Sequence, residues 1–213
     1  KIEYIVQNKP KGLPDAFVLG KKFINNQNVA LILGDNFFYG QSLAKILEKS
    51  SQHKNGAKIF LKEVNKPENY GVVKIKKNKI IKIIEKPKKF ISNQAITGLY
   101  FFDKNVVKFS ETLKPSKRGE VEITDLIKKY QKIKKLNFEQ IGRGAIWSDA
   151  GKIKDLNNVS NYVRSVEEVQ GIKIACLEEI ALKKNWINNN DISQSIKFYG
   201  NCDYSIYLKQ LLV

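Results

Sequence analysis

Val29-Ala30-Leu31-Ile32-Leu33-Gly34-Asp35-Asn36 is the stretch that decides the class of fold. Its first five residues are an uninterrupted apolar run, short and closed by turn residues, as in a strand buried on both faces of a parallel sheet. The run stops on Gly34-Asp35-Asn36. An acidic side chain therefore stands just past the C-terminal end of a buried strand, where open α/β sheets bind ligands. Gly34 leaves room for close backbone approach. Taken alone, an Asp-Asn pair after a strand is more often a turn than a metal site.

Outward from this run, strand and helix patterns alternate, which favours α/β. Ile2–Gln7 reads as a short apolar strand, followed by a turn at Pro10–Gly12 and a helix opened by Pro14 and running to about Phe23. Gln41–His53 is an amphipathic helix with Leu43, Ile46 and Leu47 inward. Ala57–Val64 is the next strand, and Gly71–Lys76 with Ile80–Glu85 forms a hairpin turning at Lys77–Asn78. Ala95–Phe102 is an aromatic strand; Asn105–Leu113 and Ile123–Lys134 are helices; Leu136–Ile141 and Ala145–Ser148 are short strands. Ile153, Leu156, Val159, Val163 and Val166 fall at helical spacing, and the pattern stays helical from Leu177 to the end. One domain over 1–213, with a helical subregion from about 153, is the economical expectation.

Composition narrows the class further. At 42% hydrophobic and 10% aromatic residues the chain is not of a disordered type. Its apolar runs are short and broken by charge, so a cytoplasmic protein is expected. Cys176 and Cys202 lack CxxC pairing and read as reduced thiols. His53 is the only histidine, in a polar stretch that reads as a helix end, so Ser/His/Asp and Cys/His chemistry has little to stand on. The net charge of +17 would suit a nucleic-acid-binding module. The lysines, however, are spread along the chain and alternate with Ile, as on the wet face of strands. No nucleic-acid partner and no membrane partner is expected.

Other side chains could join Asp35. Asp149, in Trp147-Ser148-Asp149-Ala150-Gly151, also follows a short strand, and would otherwise serve as an N-cap or Asx-turn residue. Two acids at two strand ends could share one Mg²⁺, which takes a few carboxylates plus phosphate and water oxygens. Lys86 lies in Glu85-Lys86-Pro87, and Arg118 in a loop where a guanidinium could fork onto phosphate. Glu85 could accept hydrogen bonds from sugar hydroxyls, or pair with a lysine.

In order along the chain stand Gln7-x-x-Pro10-x-Gly12-Leu13, Leu33-Gly34-Asp35-Asn36-Phe37-Phe38-Tyr39-Gly40, Tyr70-Gly71-Val72-Val73, Glu85-Lys86-Pro87, Thr97-Gly98-Leu99-Tyr100, Arg118-Gly119-Glu120-Val121-Glu122-Ile123-Thr124-Asp125 and Trp147-Ser148-Asp149-Ala150-Gly151. This series resembles the sugar-1-phosphate nucleotidylyltransferases, and the tail around Gln170–Cys176 is similar to their short thymidylyltransferase branch. The resemblance implies a Rossmann-like fold with a mostly parallel central sheet and C-terminal helices. It implies attack by a phosphate oxygen of glucose 1-phosphate on the α-phosphorus of dTTP, giving dTDP-glucose and pyrophosphate; UTP-dependent relatives share much of the pattern. It implies Mg²⁺ held by Asp35 and Asp149, and the thymine edge read by Gln7 and the backbone at Gly12. Tyr70, Gly71, Glu85, Ile96 and Tyr100 would line the glucose pocket, Lys86 and Arg118 would face phosphates, and the assembly would be a homo-oligomer, a tetramer or a dimer. The family's glycine-rich phosphate loop has no counterpart here. With no Met and an opening on Lys1-Ile2-Glu3-Tyr4-Ile5-Val6, which reads as a strand already in progress, the sequence is expected to lack the family's first strand–loop–helix and to have no useful transferase activity by itself.

Overall fold

The computed structural model describes residues 2–212. They fall into two compact units, Lys1–Gly151 and Lys152–Val213. The second begins one residue before the expected helical subregion.

The first unit is α/β. In chain order it contains α1 (Asp15–Leu19), α2 (Lys21–Ile24), β1 (Val29–Ile32), β2 (Asn36–Gly40), α3 (Leu43–Ser51), β3 (Ala57–Glu63), β4 (Gly71–Lys76) and β5 (Lys79–Glu85). β6 (Gln94–Phe102), α4 (Val106–Glu111), α5 (Ile123–Lys132), β7 (Leu136–Gln140) and β8 (Ala145–Asp149) complete it. The main sheet runs β5-β4-β6-β3-β7, with β1 on the other part of β6. β6 is long enough to be shared: Val72 of β4 pairs with Ala95, whereas Val29–Ile32 pair with Phe102–Leu99. β2 and β8 form a separate antiparallel ribbon.

Four expectations need correction. The mostly parallel sheet is not what these strands form: β3 and β7 pair parallel, while β1–β6, β3–β6, β4–β5 and β4–β6 pair antiparallel. An apolar run reports burial and says nothing about the direction of the neighbouring strand. β1 is also not covered on both faces, since Ile32 is 60% exposed. Ile2–Gln7 is not a strand; Ile2, Tyr4 and Val6 are exposed. Apolar alternation there meets no ladder that would satisfy its backbone groups. The helix expected from Pro14 to Phe23 is broken at Gly20 into α1 and α2.

The β4–β5 hairpin forms as expected. Lys77 and Asn78 take φ of 46° and 55°, the pair of left-handed residues that a two-residue hairpin turn requires. The core lies between the sheet and α1, α4 and α5, around Phe17, Ile59, Leu61, Tyr100, Phe102, Leu126 and Tyr130. Tyr130 is fully buried, with its ring 4.9 Å from that of Phe109 and 5.5 Å from that of Phe102. Its hydroxyl donates to Asp103, 2.9 Å away, which also accepts from the Gly56 and Asn105 amides. Burial opposes ionisation of Asp103, but these donors outweigh it and hold the carboxyl below its usual range. This knot fixes the end of β6 and so the strand that carries Ile96, Gly98 and Tyr100.

The second unit contains α6 (Ile153–Gln170), α7 (Leu177–Lys183), α8 (Asn189–Tyr199) and α9 (Asp203–Gln210), around Cys176, Ile192, Tyr207 and Leu208. Asn188 caps α8 in a capping box with Asp191. Among the described residues no helix is long and apolar enough to cross a membrane.

Candidate active site

The sequence leaves Asp35 and Asp149 more than a hundred residues apart; the β2–β8 ribbon joins them. Asn36 stands opposite Asp149 in the antiparallel register, and Asp35 is the residue before it. The Ala150 amide donates to the Asp35 carbonyl, 2.8 Å away, closing the end of the ribbon. Both carboxylates flank Gly151. A Cβ placed there would lie 3.1 Å from Asp149 Oδ1 and 3.3 Å from Asp35 Oδ2, so the two oxygens are no further apart than the sum of those distances. The Asx-turn reading of Asp149 also holds, since the Gly151 amide donates to its Oδ1 at 3.0 Å. The N-cap position of α6 belongs to Lys152. Among the described residues no three His, Cys, Asp or Glu groups cluster as a metal cage. What the ribbon supplies is two hard oxygen donors facing one space, a set suited to a cation that completes its shell with phosphate and water oxygens.

A second cluster lies on β4, β5 and β6. Gly71 pairs with Glu85 across the hairpin. A side chain here would make its neighbours shift, because a Cβ would meet Thr124 Cγ2 at 2.8 Å and Glu85 Oε2 at 3.0 Å, with Ile96 Cδ1 at 3.6 Å. Tyr100 is buried on the same strand as Ile96. Burial and then the charge of Glu85 raise the Tyr100 hydroxyl's pKa, so it stays a neutral donor. Burial first, and then the like charge of Glu122, push the Glu85 carboxyl up, against the pull of Thr124, Lys86 and Arg118. Tyr70 lies next to Gly71, its ring 5.1 Å from that of Trp147 on β8. The aromatic pair links this cluster to the ribbon. The two rings are tilted by 59°, and an aromatic face beside carboxylate and hydroxyl groups is a surface on which a sugar ring can stack and hydrogen-bond.

The two cations are placed differently. Arg118 spans Glu85 at 3.7 Å, Glu122 at 3.6 Å and Glu120 at 4.0 Å. It borders the β4–β6 cluster through these acids. Lys86 is exposed at the end of β5, with its amide donating to the Tyr70 carbonyl. Its φ of 42° is unusual for a residue with a side chain, and such strain gathers at functional positions.

Gln7 and Gly12 are not joined to either cluster by the contacts they make. The Gln7 amide nitrogen donates to Asp15 Oδ2 at 2.7 Å. Gly12 has φ of 106° and lies against the Val121 backbone, where a Cβ would come within 2.1 Å of the carbonyl oxygen. Sequence reasoning gave Trp147 no role and left Asn36 as a turn-shaping residue. Trp147 Nε1 donates to Asn36 Oδ1 at 2.6 Å. The signal for both was the run Asn36-Phe37-Phe38-Tyr39-Gly40, a strand in its own right whose partner carries Trp147.

Known proteins resemble the chain along most of its length. Residues 1–166 match the family described as nucleotidyl transferase. A glucose-1-phosphate thymidylyltransferase from Neisseria meningitidis is 41% identical over 99% of this chain and 74% of its own length. One from Mycolicibacterium smegmatis is 39% identical over 99% of this chain and 73% of its own. The chain thus spans about three quarters of such relatives. Among solved structures, a Bacillus anthracis protein assigned as a glucose-1-phosphate thymidylyltransferase, crystallised with a sucrose, superposes with a TM-score of 0.69 at 38% identity. That match covers 76% of this chain and 65% of the other. A UDP-glucose pyrophosphorylase bound to UDP-glucose superposes with a TM-score of 0.67 at 24% identity, a likeness of fold alone.

Proposed function

Because the chain belongs to the nucleotidyl transferase family, we propose that it serves thymidylyl transfer from dTTP to glucose 1-phosphate, giving dTDP-glucose and pyrophosphate. The observation that carries this reading is the meeting of Asp35 and Asp149 at Gly151, beside an aromatic wall that continues into the Glu85 cluster.

In this reaction a phosphate oxygen of glucose 1-phosphate forms a bond to the α-phosphorus of dTTP, while the bond from that phosphorus to the bridging β-phosphate oxygen breaks. The substrate brings its own nucleophile, so the protein's task is to orient groups and neutralise charge. Asp35 and Asp149 would hold Mg²⁺, which when bound offsets the negative charge of the phosphates. Tyr70, Gly71, Glu85, Ile96 and Tyr100 would receive the glucose ring, with ionised Glu85 accepting from its hydroxyls. Arg118, steadied by three acids, would fix Glu85 and offer remaining N–H groups to phosphate. Exposed Lys86 would add a second cation there, and Gln7 with the Gly12 backbone would meet the thymine edge. The homo-oligomer would use apolar residues of α6, a helix with no buried residue.

Calorimetric titration with dTDP-glucose in the presence of Mg²⁺, alongside ³¹P NMR of dTTP with glucose 1-phosphate, tests the reading. Binding of dTDP-glucose at least tenfold tighter than UDP-glucose is expected. Equal or tighter binding of UDP-glucose would overturn the nucleotide, and binding of neither would overturn the function.

A further inference from the structure

Asn36 is held by three hydrogen bonds that leave its amide one orientation. Oδ1 accepts from the Gly98 amide at 2.9 Å and from Trp147 Nε1 at 2.6 Å. Nδ2 donates to Asp35 Oδ1 at 2.8 Å. Turning the amide over would set its NH₂ against two fixed N–H donors and its oxygen against a carboxylate, so the network excludes the flipped form. The surroundings are closed as well. A Cβ on Gly98 would lie 2.5 Å from Asn36 Oδ1 and 2.6 Å from its Cγ, and the Leu33 amide donates to the Gly98 carbonyl at 2.9 Å.

The consequence falls on Asp35. With Oδ1 occupied by the Asn36 amide, Oδ2 is the oxygen presented at Gly151, on the side of Asp149 Oδ1. Trp147 also carries the ring that packs on Tyr70. One amide therefore connects the aromatic wall of the sugar side to the carboxylate of the cation side. We propose that Asn36 is a positioning residue that fixes the plane of the Asp35 carboxylate, so that its free oxygen faces the divalent cation, and couples that orientation to Trp147. This rests on the reading of Asp35 and Asp149 as cation ligands, and it concerns a residue that need not itself touch substrate.

The test uses Mn²⁺ alone as the probe, titrated into the full chain and followed by electron paramagnetic resonance, with thermal melts run on each variant. Asn36→Leu keeps the bulk and removes every hydrogen bond; its Mn²⁺ dissociation constant should rise about tenfold or more, the usual cost of losing a partner behind a metal ligand. Gly98→Ala forces the amide out of place with Asn36 intact, and should weaken Mn²⁺ to a similar degree. Trp147→Phe keeps an aromatic ring, though a smaller one, and removes one donor, so its loss should be smaller than either. A structural role alone would move the melting temperatures and leave the affinities of the folded variants together. Mn²⁺ affinity within twofold of the native chain in any folded Asn36→Leu or Gly98→Ala variant would overturn the proposal, as would a native chain that binds no Mn²⁺. The outcomes separate from those for function. Native dTDP-glucose binding with an Mn²⁺-indifferent Asn36→Leu sinks only this inference. Asn36-dependent Mn²⁺ binding without dTDP-glucose binding sinks only the proposed reaction.

Discussion

Gly71→Ala isolates the sugar cluster with one methyl group. The new Cβ would stand 2.8 Å from Thr124 Cγ2, where carbon contacts settle at about 3.5–4.0 Å. Thr124 must therefore retreat by roughly 0.7–1.2 Å, and Glu85 Oε2, 3.0 Å away, by less. Overpacking of this kind costs about 1–3 kcal/mol of stability, or ~2–4 °C of melting temperature per kcal/mol. Function should suffer separately. If Glu85 accepts a hydrogen bond from glucose, displacing it removes a contact to a charged acceptor worth about 1.5–3 kcal/mol. At tenfold per ~1.4 kcal/mol, dTDP-glucose should bind about 10- to 150-fold more weakly. The dTDP half should bind within about twofold of native, since Gly71 stands in the sugar cluster. Calorimetry with dTDP-glucose and dTDP reads both, and Gly142→Ala, where a Cβ meets nothing within 4 Å, is the control. A folded Gly71→Ala chain with native dTDP-glucose affinity would refute the placing of the sugar between β4, β5 and β6.

Gly12→Ala combines a left-handed φ of 106° with a Cβ 2.1 Å from the Val121 carbonyl, so it should cost the first unit about 2–4 kcal/mol in a chemical melt. A variant as mild as Gly144→Ala, which meets nothing within 4 Å, would contradict the close packing of these two segments. Burial, first of all, holds the Glu85 carboxyl's pKa above its ordinary value of 4.5. Its unfolded form releases the proton first, so stability falls as pH rises from 4.5 through the folded value. Glu85→Gln should then stabilise the chain at pH 7 and lose that advantage below about pH 4.5, while weakening dTDP-glucose; a destabilised variant at pH 7 would reverse the sign. His53 has its pKa lowered from 6.5, mainly by burial and then by Lys58. Its single imidazole signal in proton NMR should titrate below 6.5, and stability should fall as pH drops through 6.5, because the unfolded state takes the proton first. A midpoint above 6.5 would remove the burial argument.

How far the fold was legible depended on whether a signal was local. The β4–β5 hairpin was readable because Lys77-Asn78 between alternating strands is a turn by its own chemistry. The helix expected at Ile123–Lys134 forms as α5, and Ile123, Leu126, Ile127 and Tyr130, three or four residues apart, are its buried face. Strand direction was not legible, because β6 meets β1, β3 and β4 from distant parts of the chain and nothing inside Ala95–Phe102 names those neighbours. Ile2–Gln7 failed for the same reason. Its alternation describes a face but supplies no ladder, and in the structure none is paired to it.

The site divides along the same line, and more instructively. Asp35 and Asp149 could each be seen at a strand end, but an Asp-Asn pair read locally is a turn, and Asp149 does in fact make one. The turn and the cation-ligand readings are compatible: an Asx hydrogen bond uses Asp149 Oδ1 and holds it beside Gly151, where Asp35 Oδ2 arrives. What makes the difference is the five-residue ribbon between Asn36–Gly40 and Ala145–Asp149, a pairing that no local pattern encodes. A two-stranded ribbon is only marginally stable by itself. Here Asn36 ties it to β6 through the Gly98 amide, and Tyr70 packs on Trp147 from the β4 side. The polar knot that steadies the ribbon is thus the same one that orients Asp35. A residue dismissed locally as turn-forming becomes, once the pairing is known, the link through which packing of the sugar side reaches the cation side.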